Sequence, residues 1–93
     1  MYLTQCRAID DDVWQFFGEY PTKSEAQTAA NIASDYPTYY RARVHRINES
    51  WHKQFPDNCP IIEVTGDGKE AGTCTYHLKN RTCPRHGVVK DEP

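Results

Sequence analysis

Apolar residues recur along this chain in two rhythms, and each predicts a different element. Tyr2 to Ile9 (YLTQCRAI) alternates imperfectly, with Leu3, Arg7 and Ile9 on one side and Cys6 and Ala8 on the other, as in a strand. After Asp10-Asp11-Asp12, the run Val13 to Phe17 (VWQFF) returns as a second strand, so the pair reads as a hairpin around an acidic, solvated turn. Gly18 and Pro21 are expected to end it. Thr22 followed by Glu25 fits a capping box, and a helix follows over about Ser24 to Asp35. Its alanines, Ala26, Ala29, Ala30 and Ala33, fall at the i, i+3, i+4, i+7 spacing of one face, with Ile32 at the edge. Such a face lets a helix lie close on a sheet. Pro37 bars continuation and pushes Tyr36 towards an extended backbone.

The alternation then resumes from Thr38 to Ile47. Tyr40, Ala42 and Val44 are set to pack under the helix, while Tyr39, Arg41, Arg43 and His45 form a basic, aromatic-flanked outer face. Residues 48 to 60 read as a loop anchored by Trp51 and Phe55. Ile61 to Thr65 is a short strand, and Gly66 to Gly68 a turn. The predicted class is α+β: a small antiparallel sheet in strand-strand-helix-strand order, one covering helix and a zinc-knuckle-like C-terminal hairpin. All of it belongs to one domain, 1–93, with a core at 1–50, a loop and short strand at 51–70, a Cys/His hairpin at 71–88 and a tail at 89–93.

Composition explains why the hairpin matters. With 93 residues, 38% of them hydrophobic, the chain builds only a thin core. Its mean hydropathy of −0.84 points the same way, and small cores of this kind are usually stapled. The staple is sought in CTYHLKNRTCPRHG, residues 74 to 87. Cys74 and His77, then Cys83 and His86, form two pairs with an x2 gap, which suits a tetrahedral Zn²⁺ held by two sulfurs and two nitrogens. Asn80 would sit at the tip of a tight reversal, Pro84 would stiffen the second pair, and Gly87 would let the chain leave without a clash. Four protein ligands close the shell, so the expected zinc is structural. A Cys74–Cys83 disulfide, with Cys6–Cys59 as a second bridge, is the competing reading; otherwise Cys6 and Cys59 are buried thiols. Cys83-Pro84-Arg85-His86-Gly87 also resembles the second ligand box of Rieske iron–sulfur proteins, but the C-x-H box that such a centre needs upstream is absent.

Charge narrows the function. The net charge is only −2, yet Asp10, Asp11, Asp12, Glu19 and Glu25 crowd the first part, whereas Lys79, Arg81, Arg85 and Lys90 occupy 71–90 without a carboxylate. Cations beside stackable rings suit nucleic acid, so Lys79, Arg81 and Arg85, extended by Tyr39, Arg41, Arg43 and His45, are the candidate contact surface. The partner expected is nucleic acid or a protein that handles it. The alternative is a small phage-type inhibitor or adaptor, such as an anti-CRISPR-like blocker, in which the acidic segment would matter equally. His45, His52 and Asp57 are the residue types of a one-metal nuclease, but a solvated basic face accounts for His45, and no catalytic motif appears, so no enzyme is expected. Met1-Tyr2-Leu3-Thr4 lacks the start of a secretory signal, and no run reaches transmembrane length; a cytoplasmic setting is expected.

Overall fold

A computed structural model describes residues 1–37, 39–65, 67 and 69–89, with the backbone alone for Tyr39 and Tyr40. The elements are β1 (Tyr2–Ala8), β2 (Gln15–Tyr20), α1 (Lys23–Ser34), β3 (Tyr39–Ile47), α2 (Glu49–Gln54), β4 (Ile61–Val64), β5 (Glu70–Thr73), β6 (Thr82–Cys83) and β7 (Gly87–Val88). Strands β1 to β5 form one antiparallel sheet in the order β2-β1-β3-β4-β5, and β6 pairs with β7 in a separate ribbon. The α+β class read from the pattern is the class observed. No helix among the described residues is long and apolar enough to cross a membrane.

The acidic triplet is a turn, as expected, and its chemistry delays the second strand. Asp11 accepts from Val13 N–H at 2.9 Å and from the Gln15 amide at 3.0 Å, holding residues 11–13 out of the ladder until Gln15. Gly18 does not end β2. It pairs with Thr4 beside a register shift, and the Tyr20 ring fills the space a Cβ would need. Thr22 caps α1 by accepting from Glu25 N–H at 3.2 Å, and Ala26, Ala29, Ala30 and Ala33 are all buried. Because these side chains are small, the helix axis approaches β1 closely enough for Thr4 Oγ1 to donate to the Ala26 carbonyl at 2.8 Å. Ala33→Leu should therefore overpack this seam and lower stability by about 1–3 kcal/mol in urea denaturation; an unchanged midpoint would contradict the close packing.

Thr4 pairs with Val44 and Cys6 with Ala42, so that side of the sheet faces α1. The opposite side carries Leu3, Gln5, Arg43 and His45 in register, continued by Ile47 opposite Ile61. It is not a solvated outer face. The C-terminal segment lies over it, and the buried cluster of Leu3, Ile47, Cys59, Ile61, Cys74, Cys83 and Val89 fills the space between. The chain thus stacks helix, sheet and Cys/His segment in three layers.

Two local expectations change. Residues 49–54 form the short helix α2 rather than loop, because Asn48 caps it, accepting from Trp51 N–H at 3.2 Å. Trp51 and Phe55 tilt against each other at 4.5 Å, and Phe55 stays exposed instead of anchoring in the core. Strand β5 (EAGT) is too poor in apolar residues for periodicity to reveal. The turn expected at Gly66–Gly68 and the end of the tail, 90–93, lie outside the described residues.

Candidate metal centre

Cys59 sits just before β4, Cys74 just after β5, Cys83 in β6, and His86 in the turn that leads into β7. One ligand atom from each lies within 4.8 Å of all the others, and all four residues are buried. Cys74 Sγ and Cys83 Sγ are 3.8 Å apart; His86 Nδ1 is 3.5 Å from both Cys59 Sγ and Cys83 Sγ. A zinc tetrahedron with Zn–S near ~2.3 Å and Zn–N near ~2.0 Å has edges of about 3.8 Å between sulfurs and about 3.5 Å from sulfur to nitrogen. The three separations have those lengths. The donor set and spacing fit a Cys₃His metal site, and all four cysteines are free thiols rather than the two disulfides considered.

Of the expected ligands, the structure brings Cys74, Cys83 and His86 together and leaves His77 out. The two x2 gaps adopt different backbones. Residues 84–86 curl as a turn, so Cys83 and His86 face one point. Cys74 to His77 is extended instead, and in extended chain residues three apart point to opposite sides. The extension comes from pairing with the segment before β4: Cys59 N–H donates to the Tyr76 carbonyl at 2.9 Å, Leu78 N–H to the Asp57 carbonyl at 2.7 Å, and Asn58 bridges His77. His77 contributes backbone while its side chain is exposed, and the same pairing delivers Cys59. A faint sequence signal for Cys59 does exist: Asn58-Cys59-Pro60 echoes Thr82-Cys83-Pro84.

Residues around the ligands orient and neutralise them. His86 Nε2 lies 3.0 Å from Glu63 Oε1, so the ring can donate there and present Nδ1 to an ion. Arg85 Nε holds the same carboxylate oxygen at 2.8 Å. Glu63, the lone charge in IIEV and two residues after buried Ile61, was not singled out from sequence, although a carboxylate on the inward side of a strand is the signal. The His86 carbonyl accepts from Gln5 Nε2 at 2.9 Å and Arg43 Nη2 at 3.1 Å, and Gln5 Nε2 also reaches the Val88 carbonyl at 3.0 Å. Arg43 completes the clamp by donating from Nε to Gln5 Oε1 at 3.0 Å, with its guanidinium 4.0 Å over the Trp14 ring.

Burial pushes the Cys59 and Cys74 thiols up, so without a cation they stay protonated. A bound divalent ion deprotonates coordinating thiols outright. Three thiolates around Zn²⁺ leave one net negative charge, which Arg43 is placed to offset; burial and Arg7 lower its pKa only to about 10, so it stays charged. Burial first, then Arg43 and His86, lower His45 to about 4, and its ring lies 5.5 Å from that of His86. The unfolded chain takes up that proton more readily. His45 therefore supports the fold fully above its ordinary 6.5, and that support is lost as the pH falls towards 4.

The basic face read from sequence is divided by this arrangement. Arg43 and His45 are covered by the Cys/His segment and act inside the fold. Arg41 is exposed on β3, while the Tyr39 side chain lies outside the described residues. Lys79 is exposed, Arg81 is half-buried, and Arg85 is exposed but paired with Glu63. Comparison of the chain with protein-family models, with curated proteins and with solved structures found no match.

Proposed function

We propose that this chain is a non-enzymatic binding domain whose C-terminal segment is fixed to the sheet by a structural Zn²⁺ on Cys59, Cys74, Cys83 and His86. The observation that carries the reading is the buried Cys₃His group, three of whose donor separations match the edges of a zinc tetrahedron. Four protein ligands leave no open coordination position, which argues for a structural ion over a catalytic one. Zinc fits the mixture of thiolates and an imidazole better than hard, oxygen-seeking ions do. Elemental analysis of purified protein should return one zinc per chain, and a folded protein free of any metal would overturn the assignment.

The contact surface proposed is the outer side of the Cys/His hairpin, where Lys79, Arg81 and Arg85 stand without a neighbouring carboxylate in sequence from 71 to 90. With Arg43 and His45 inside the fold, the cationic footprint for nucleic acid is small. With Arg85 held by Glu63, two phosphate contacts from Lys79 and Arg81 on a single strand predict a slope of about −1.4 in log affinity against log salt. Fluorescence anisotropy with single-stranded RNA and DNA should give that shallow slope, and loss of binding on Lys79→Ala. No binding at low salt would exclude nucleic acid and leave a protein partner, the inhibitor-type reading, as the function of the same surface.

A further inference from the structure

A cavity of about 220 Å³ opens where the Cys/His segment meets the ends of β3 and α2. Its apolar walls are Met1, Ile47, Pro60, Leu78 and Val89. An engineered apolar cavity of roughly 150 Å³ accepts benzene, so this one has room for a single ring or a chain of about six to eight carbons. The polar groups at its walls are unevenly engaged. Glu49 is paired with the Met1 amino group at 3.4 Å, and Glu19 has an interaction of its own. Arg81 and Lys53 also line it, and among the described residues neither has an ion pair. His52 is a third wall residue, and its Nδ1 is buried without a hydrogen-bond partner.

A second observation concerns how Arg81 gets there. Thr82 N–H donates to the Lys79 carbonyl at 3.0 Å, and the central residues Asn80 and Arg81 have φ of 55° and 64°. This is a type I′ turn, whose second central position is ordinarily glycine. Asn80 tolerates the left-handed region; arginine does so at a cost in stability. The turn would close better with glycine, yet the residue present is the cation that forms the cavity wall.

We propose that this cavity is a binding site for a small monocarboxylate, its apolar body lodged against Ile47, Leu78 and Val89 and its carboxylate held by the guanidinium of Arg81. Lys53 adds positive charge, and His52 Nδ1 is available as a hydrogen-bonding group. A single carboxylate suits the site better than a phosphate, because Glu19 and Glu49 stand at the same walls and would repel a higher negative charge. The site goes beyond the binding-domain reading, although Leu78, Arg81 and Val89 belong to the segment the metal would hold.

The test is a titration of the full chain, loaded with zinc, with hexanoate and in parallel with hexan-1-ol, followed by amide chemical shifts. Hexanoate should shift Ile47, Leu78, Arg81 and Val89 saturably and bind about tenfold tighter than the alcohol, the effect of a charge-assisted hydrogen bond. Arg81→Gly should erase that preference while raising the melting temperature, since glycine suits the turn. Arg81→Gln should erase it with the backbone strain retained, which separates the charge from the fold. Equal affinities for acid and alcohol, shifts away from the cavity, or no saturation up to the solubility limit would each overturn the proposal. Zinc is measured on the same sample. Zinc-loaded protein that ignores hexanoate sinks the cavity reading alone, whereas metal-free, folded protein that binds it sinks the metal reading and supports the cavity.

Discussion

Cys59→Ser should abolish binding of the proposed zinc, whereas His77→Ala should leave one ion bound. The two residues compete for the fourth ligand position, and only Cys59 has its donor atom within reach of the other three. Structural zinc in small domains contributes on the order of 10 kcal/mol of apparent binding free energy. A domain of this size has a net stability of only about 5–15 kcal/mol. Loss of one ligand from four should therefore release the Cys/His segment and lower the melting temperature by well over 10 °C, since about 1 kcal/mol shifts a small domain by about 4–8 °C. The measurements are elemental analysis after gel filtration, and thermal unfolding with and without chelator. Wild type and His77→Ala should hold one zinc and melt lower with chelator. Cys59→Ser should hold little, melt low at the outset and ignore the chelator. The opposite pattern would restore His77 as a ligand and remove Cys59.

Why His77 looked like a ligand, and Cys59 did not, follows from what spacing can express. An x2 gap signals a shared ion only if the chain curls within it, and curling is a property of the intervening residues together with whatever pairs with them. Around Cys83, Pro84 and the turn before Gly87 are local, so that pair was legible. Around Cys74 the conformation is imposed by residues 57–59, some fifteen positions upstream, and pairing at that range leaves no periodic trace. The alanine spacing of α1 and its Thr22 cap were readable for the opposite reason: both are local to the helix. Alternation on β3 likewise sorted Ala42, Arg43, Val44 and His45 correctly into two sides. It could not say what covers each. Arg43 and His45 looked solvated by residue type, yet one guanidinium lies over Trp14 and bonds the His86 carbonyl, and the imidazole abuts His86. A cation that bonds a carbonyl inside the fold has the same letter as a cation in water.

Gly87→Ala should be the most damaging single-methyl change in the described chain outside the ligands. Gly87 has φ of +76°, and a Cβ there would collide with the Trp14 carbonyl oxygen and come within 2.7 Å of its amide nitrogen. Those are backbone atoms, which no rotamer change can move. Val88 N–H donates to that same Trp14 carbonyl at 2.6 Å, so separating the two segments also removes a hydrogen bond. Gly87 is next to His86 and pairs with Cys83, and a shift there would carry the imidazole away from the sulfurs. Backbone strain and overpacking together predict a loss of about 2–6 kcal/mol. Gly72→Ala is the internal control: its φ of +122° makes any side chain strained, but nothing lies within 4 Å of the added carbon. Gly72→Ala should therefore cost the strain alone and keep zinc affinity, whereas Gly87→Ala should both melt earlier and surrender zinc to a weaker chelator. If the two variants behaved alike, the close approach of Trp14 to Gly87 could not be what sets His86 in place, and the sheet's grip on the metal site would have to come from Gln5 and Arg43.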